Sequence, residues 1–156
     1  MKIFPMLFII LLTFFSCEEA ALNSQSDTNR VVISQEQFDT AWADLQSEES
    51  DSDPFQLNSL MFDGTKLMVN VSYSGGCKPH DFQLIWPESM MLIMPPRYTV
   101  ILMHDANDDS CEAYLTETLT FDLAALDLGI TEEVIDQMDF TLINGSDGDQ
   151  SLKLIH

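Results

Sequence analysis

Two stretches of the chain hold most of its reactive side chains. They are Ser74-Gly75-Gly76-Cys77-Lys78-Pro79-His80-Asp81-Phe82 and His104-Asp105-Ala106-Asn107-Asp108-Asp109-Ser110-Cys111-Glu112-Ala113. Three chemistries are open to them. The two thiols can oxidise to a Cys77–Cys111 disulfide, clamping one stretch to the other. Alternatively, Cys77-x-x-His80 has metal-ligand spacing, and His104 with Cys111 completes a Cys₂His₂ set suited to zinc. Copper is the variant of that reading, since soft Cys and Met ligands favour Cu(I) and Met90, Met91 and Met94 stand nearby in sequence. A methionine run serves equally as apolar filler or a contact surface. The third chemistry is a thiol nucleophile assisted by His and Asp, although neither Cys carries a recognisable local signature. Asp105-x-Asn107-x-Asp109 opens like a calcium loop, but Ser110 and Thr116 occupy the Gly and final Glu positions. An Asp/Asn-rich turn accounts for it equally well.

The elements that must position these residues are short and mostly extended. Arg30–Ile33 reads as a short strand, and Ser34-x-x-Gln37 has capping-box spacing for a helix. Phe38, Ala41, Trp42 and Leu45 fall on one stripe of that helix, which predicts a core-facing surface anchored by Trp42. From Phe55 onward the period is two. Phe55–Phe62 and Lys66–Tyr73 flank Asp63-Gly64 as a hairpin, with Leu67, Val69, Val71 and Tyr73 on the buried side. Asp81–Trp86, Tyr98–His104 and Cys111–Leu123 continue as strands. Thr131–Met138 is a brief helix with Thr131 as its cap. Phe140–Ile143 and Leu152–Ile155 form a last hairpin about Asn144-Gly145. This order predicts a mainly β chain: an antiparallel β-sandwich or strongly curved sheet carrying one or two short helices. Along the Cys111–Leu123 strand, Glu117 falls among inward-facing positions. It is either a buried carboxylate paired with His104 or Arg97, or it is wet because a bulge shifts the register.

The start of the chain is of another kind. Lys2 is followed by an apolar run, Ile3–Phe15, too short to span a bilayer, which at about 1.5 Å per residue needs roughly 20 residues. A charged start, a short apolar run and a small residue before the cut describe a secretory signal. Phe14-Phe15-Ser16-Cys17 resembles a lipobox, with Phe14 where Leu is usual. The resemblance implies cleavage before Cys17 and lipidation of Cys17, hence stable anchoring through two or three acyl (palmitate-like) chains. Glu18-Glu19 resembles the acidic signal with which some bacteria export lipoproteins to the outer face of the outer membrane. The domains expected are therefore a signal peptide over 1–16, a lipidated polar tether over 17–29, and one β-rich unit over 30–156.

Composition narrows the partners. The whole chain has six basic and 26 acidic residues, a formal charge of −20. Such a surface excludes nucleic-acid binding, which needs a basic face. It keeps the chain soluble by self-repulsion, and it leaves a protein or cationic partner as the alternative use. Export also orders the thiol chemistries. With Cys17 lipidated, two Cys remain in an oxidising compartment, which favours the Cys77–Cys111 disulfide over the Cys77, His80, His104, Cys111 metal site.

Gly-Gly-Cys-x-x-His-x-Phe, then His-Asp-x-x-x-Asp-x-Cys-Glu-Ala, resembles an uncharacterised group of exported bacterial proteins. The resemblance implies an extracytoplasmic single domain and carries over no activity. The expectation is a lipid-anchored cell-envelope protein, outer-membrane and surface-facing, acting as a non-enzymatic binding or structural module without a cofactor. A zinc- or copper-binding envelope protein is the alternative.

Overall fold

The period-two runs assemble into two sheets packed face to face. The computed structural model describes residues 29–88, 94–126 and 128–155. The expected signal peptide over 1–16, the expected lipidation site Cys17, and Met90 and Met91 lie outside those residues. In chain order the elements are β1 (Asn29–Ile33), α1 (Gln35–Ser47), β2 (Phe55–Asp63), β3 (Lys66–Gly75), β4 (Asp81–Trp86) and β5 (Arg97–Asp105). Then follow β6 (Ala113–Asp122), α2 (Glu132–Ile135), β7 (Asp139–Asn144) and β8 (Asp147–Leu154). One sheet has the order β1-β4-β5-β7-β8 and the other β2-β3-β6.

The β-sandwich expectation holds, with one change to its antiparallel character: β1 pairs with β4, and β5 with β7, in parallel. A parallel pair needs a long crossover. Here the crossovers contain whole elements: α1 with the β2–β3 hairpin in one case, β6 with α2 in the other.

The alternation of β3 gives the core its floor. Leu67, Val69 and Val71 are fully buried, against Phe82, Leu84 and Trp86 of β4 and Phe140 and Leu142 of β7. In β4 and β5 the alternation breaks down, because Ile85 and Ile101 are buried on the opposite face beneath α1, with Ala41 and Ile143. Central strands covered on both faces read as continuous apolar runs.

Ser34 caps α1 by accepting from the Gln37 N–H at 3.3 Å, and Thr131 caps α2. The core-facing expectation for Trp42 is corrected. Ala41 makes the close contact, while Trp42 is 41% exposed and stacks on Phe38 with centroids 6.1 Å apart. A small residue at the contact lets the helix approach closely and turns the wide indole onto the flank. Three bounds also move. β6 begins at Ala113 rather than Cys111, α2 spans one turn rather than two, and β8 begins at Asp147 rather than Leu152.

Candidate functional site

The two loops singled out by their Cys and His residues meet at one end of the sandwich. Gly75 closes β3, the 76–80 loop leads into β4, and the 106–112 loop joins β5 to β6. A Cys77–Cys111 disulfide ties loop to loop. Lys78 reinforces the tie, its Nζ donating to the carbonyls of Asn107 at 2.7 Å and Asp108 at 2.8 Å. Asn107 and Asp108 both have positive φ, a conformation that Asn and Asp tolerate better than most residues.

Asp109 organises the junction. Its Oδ2 accepts the backbone N–H groups of Gly76, Cys77 and Lys78 at 2.8–2.9 Å, and its Oδ1 that of Cys111 at 3.0 Å. Successive N–H groups converging on one oxygen form an anion-binding nest, filled here by the chain's own carboxylate. Those bonds, Cys111 foremost and then Lys78, hold the Asp109 carboxyl far below the usual carboxylate range, against the opposing effect of desolvation.

The two histidines extend the network inward. His80 Nε2 lies 3.3 Å from Asp109 Oδ2, His80 Nδ1 lies 2.8 Å from His104 Nε2, and His104 Nδ1 lies 3.3 Å from the Asp53 carbonyl. The carbonyl and the carboxylate at the two ends only accept. Three such contacts would use three ring protons, one more than two neutral imidazoles carry, so two neutral rings satisfy two of the three at a time. Rings enclose it: Tyr73 lies 4.5 Å from His80, and Phe82 stacks on His104 at 4.5 Å and 13°. Burial, the largest cause, pushes His104 below its ordinary value; the nearby His80 adds to this, and the Asp53 carbonyl opposes it.

Gly75 is required for this approach. It has φ +156°, and a Cβ there would fall on the His80 ring and within 3.1 Å of Asp109 Oδ2. Gly75→Ala should displace His80 and cost about 2 kcal/mol or more. A denaturant melt of that variant checks this; an unchanged midpoint would show that His80 can give way freely.

The structure corrects Glu117. It is exposed and accepts the Tyr73 hydroxyl at 2.6 Å, touching neither His104 nor Arg97, which pairs with Asp139 at 3.1 Å. No bulge is involved, since β3 and β6 stay in register throughout. β6 is an edge strand, and the inward side of its first half opens to solvent at the rim. Burial first, then the hydrogen bond and charge of Glu117, pushes the Tyr73 hydroxyl well above its ordinary value.

The Cys77, His80, His104, Cys111 ligand set is not assembled. The two sulfurs are bonded to each other, and the two imidazoles are bonded to each other and to Asp109 and Asp53. Among the described residues, the three side chains whose ligand atoms all lie within 4.8 Å of one another are Cys77, Asp109 and Cys111, where the disulfide leaves no thiolate to bind. The calcium-like run is likewise committed: Asp105 Oδ1 accepts from Asn107 N, and the Asn107 amide donates to Pro79 O and Asp81 Oδ2.

A cavity of about 350 Å³ opens beside His104, with Asp51, Asp81, Asp105 and Arg30 among its walls. Sequence reasoning missed Asp53 and Asn144. Asp53 Oδ2 accepts from Ala106 N at 2.7 Å. Asn144, fully buried, ties β7 to β2 through the Phe55 carbonyl at 2.8 Å. A lone Asp before Pro54 and an Asn before Gly145 carry only turn signals.

These features define a two-sheet β-sandwich with a cross-linked polar junction at one end. No family model and no curated protein matches the chain. Among solved structures, it is similar over 83% of its length to a protein of unknown function (DUF1344) from Bacteroides vulgatus, with a TM-score of 0.52 and 9% identity. It is similar over 81% to a putative toxin-related protein from Parabacteroides distasonis (TM-score 0.49, 18% identity) and over 83% to a NigD-like immunity protein from Bacteroides caccae (0.49, 19%). The chain spans 56%, 59% and 60% of those three proteins. The first likeness is one of fold.

Proposed function

We propose that this chain is a lipid-anchored cell-envelope protein acting as a non-enzymatic binding or structural module. The observation that carries the module reading is the use to which its reactive groups are put. Both thiols, both junction imidazoles and both Asp109 oxygens are spent in holding two loops together. A nucleophile or a general base must instead present its reacting atom to a substrate. The acidic walls beside His104 suit uncharged or cationic chemistry and repel anions. Anchoring rests on Cys17 following a short apolar run at a lipobox-like sequence.

The anchor is tested by expressing the full chain and Cys17→Ala in a Gram-negative host with a labelled fatty acid. The parent chain is expected to take up label and enter the detergent-rich phase of a Triton X-114 partition. Cys17→Ala should do neither. Uptake of label by the variant, or an unlabelled parent chain, overturns the assignment.

A further inference from the structure

The outward face of the β2-β3-β6 sheet departs from the rest of this acidic chain. Its register aligns Ser74 with Tyr114, Gln56 with Ser72 and Thr116, Ser59 with Asn70 and Thr118, and Met61 with Met68 and Thr120. None of the residues in these four rows is charged, in a chain with a formal charge of −20. Charge returns in the row beyond, where Asp63, Lys66 and Asp122 align.

Side chains on the face are held in place by one another. The bulge between Leu57 and Ser59 turns out Asn58, whose Nδ2 reaches Asn70 Oδ1 at 2.9 Å and Ser72 Oγ at 2.8 Å. Asn70 Nδ2 in turn donates to Thr118 Oγ1 at 3.1 Å, and Ser72 and Thr116 hydroxyls meet at 2.8 Å. Tyr114 lies at the end of this ladder. It belongs to β6, yet its hydroxyl donates to Gln56 Oε1 of β2 at 2.9 Å, so the side chain reaches across β3. It remains 62% exposed.

From this face we infer a binding surface for neutral polysaccharide, a chain of uncharged pyranose units. Tyrosine offers a large, rigid, amphipathic surface at low entropic cost, with Asn, Ser and Thr supplying adaptable hydrogen bonds beside it. The negative ring face of an aromatic attracts weakly positive C–H groups, which a pyranose presents on its flat side, while its hydroxyls match amides and hydroxyls. Charge selects the occupant. A cationic partner is drawn to the acidic surfaces elsewhere, and an uncharged face adds nothing to hold it. A second copy brings its own −20, and two such copies repel at close approach. An uncharged polyol meets neither objection. The proposal gives a ligand class to the binding-module reading and does not depend on the anchor.

The test is affinity electrophoresis of the detergent-solubilised full chain through gels containing a neutral glucan, mannan, galactan or xylan. Retardation is expected in at least one. Tyr114→Ala should weaken it about tenfold or more. Thr118→Asp, which keeps the tyrosine but places a carboxylate on the face, should weaken it too, and Trp42→Ala on the other sheet should not. Circular dichroism shows that each variant is folded. Migration unaffected by all four polysaccharides overturns the proposal. So does retardation that survives both face variants, or sedimentation showing a dimer that Thr118→Asp dissociates. Loss of binding with labelled, membrane-bound protein separates this failure from failure of the anchor reading.

Discussion

Removing the Cys77–Cys111 bridge is expected to cost about 4 kcal/mol of folding stability, by the loop-entropy relation for residues separated by 34 positions. A domain of this kind has about 5–15 kcal/mol in total, so the change should lower the melting midpoint by roughly 10–20 °C. The double variant Cys77→Ala/Cys111→Ala is the cleaner comparison, because it leaves no lone thiol to mispair. It should still fold. Asp109 accepts from the backbone of both Cys77 and Cys111, and Lys78 crosses to the other loop independently of sulfur. Denaturant unfolding of the oxidised, reduced and doubly substituted proteins reads the effect. A shift below about 1 kcal/mol in both altered forms would mean that the carboxylate nest alone closes the loop.

Asp109 is also where the sequence stops being readable. The spacing of Cys77, His80, His104 and Cys111 announces that these residues belong together, because motif spacing is a local signal and each lies at a strand end. What holds them is not local. Asp109 looks like one of three acids in a turn, and its role arises only when the 76–78 backbone is folded against it. Pairing direction is invisible for the same reason. The alternation of Leu67, Val69, Val71 and Tyr73 fixes their face, and Gly64 and Gly145 mark the tight turns. No residue pattern states that β1 will lie parallel to β4. Trp42 and Glu117 mark the two limits of periodicity. A helix stripe gives a direction to within about one residue, so Ala41 takes the contact and Trp42 turns outward. A strand's inward side is buried only as far as the opposing sheet extends, which for Glu117 is not far enough.

Acid should destabilise the protein in two separate windows. The first comes from His104, whose folded-state value is lowered by burial. The unfolded chain takes up that proton as pH falls through about 6.5, while the folded chain resists. Stability is therefore full above that pH and falls below it, by at most about 1.4 kcal/mol per pH unit for one proton. The second window comes from Asp109, also lowered, so that the unfolded chain is protonated first as pH falls below about 4. The geometry explains why His104 resists. A proton taken up by His104 is buried among Phe55, Tyr73 and Phe82, away from water, with the His80 ring 2.8 Å away. The carboxylates of Asp53 and Asp105 near His104 favour that proton and moderate the effect without reversing it. Unfolding midpoints of the parent chain and of His104→Gln, measured from pH 8 to pH 4, test this. The parent curve should begin to fall as pH drops below about 6.5, and the variant, which still offers an acceptor to His80, should be nearly flat there. Asp109→Asn should instead flatten only the lower window. Parallel curves for parent and His104→Gln would mean that burial of His104 does not set this window.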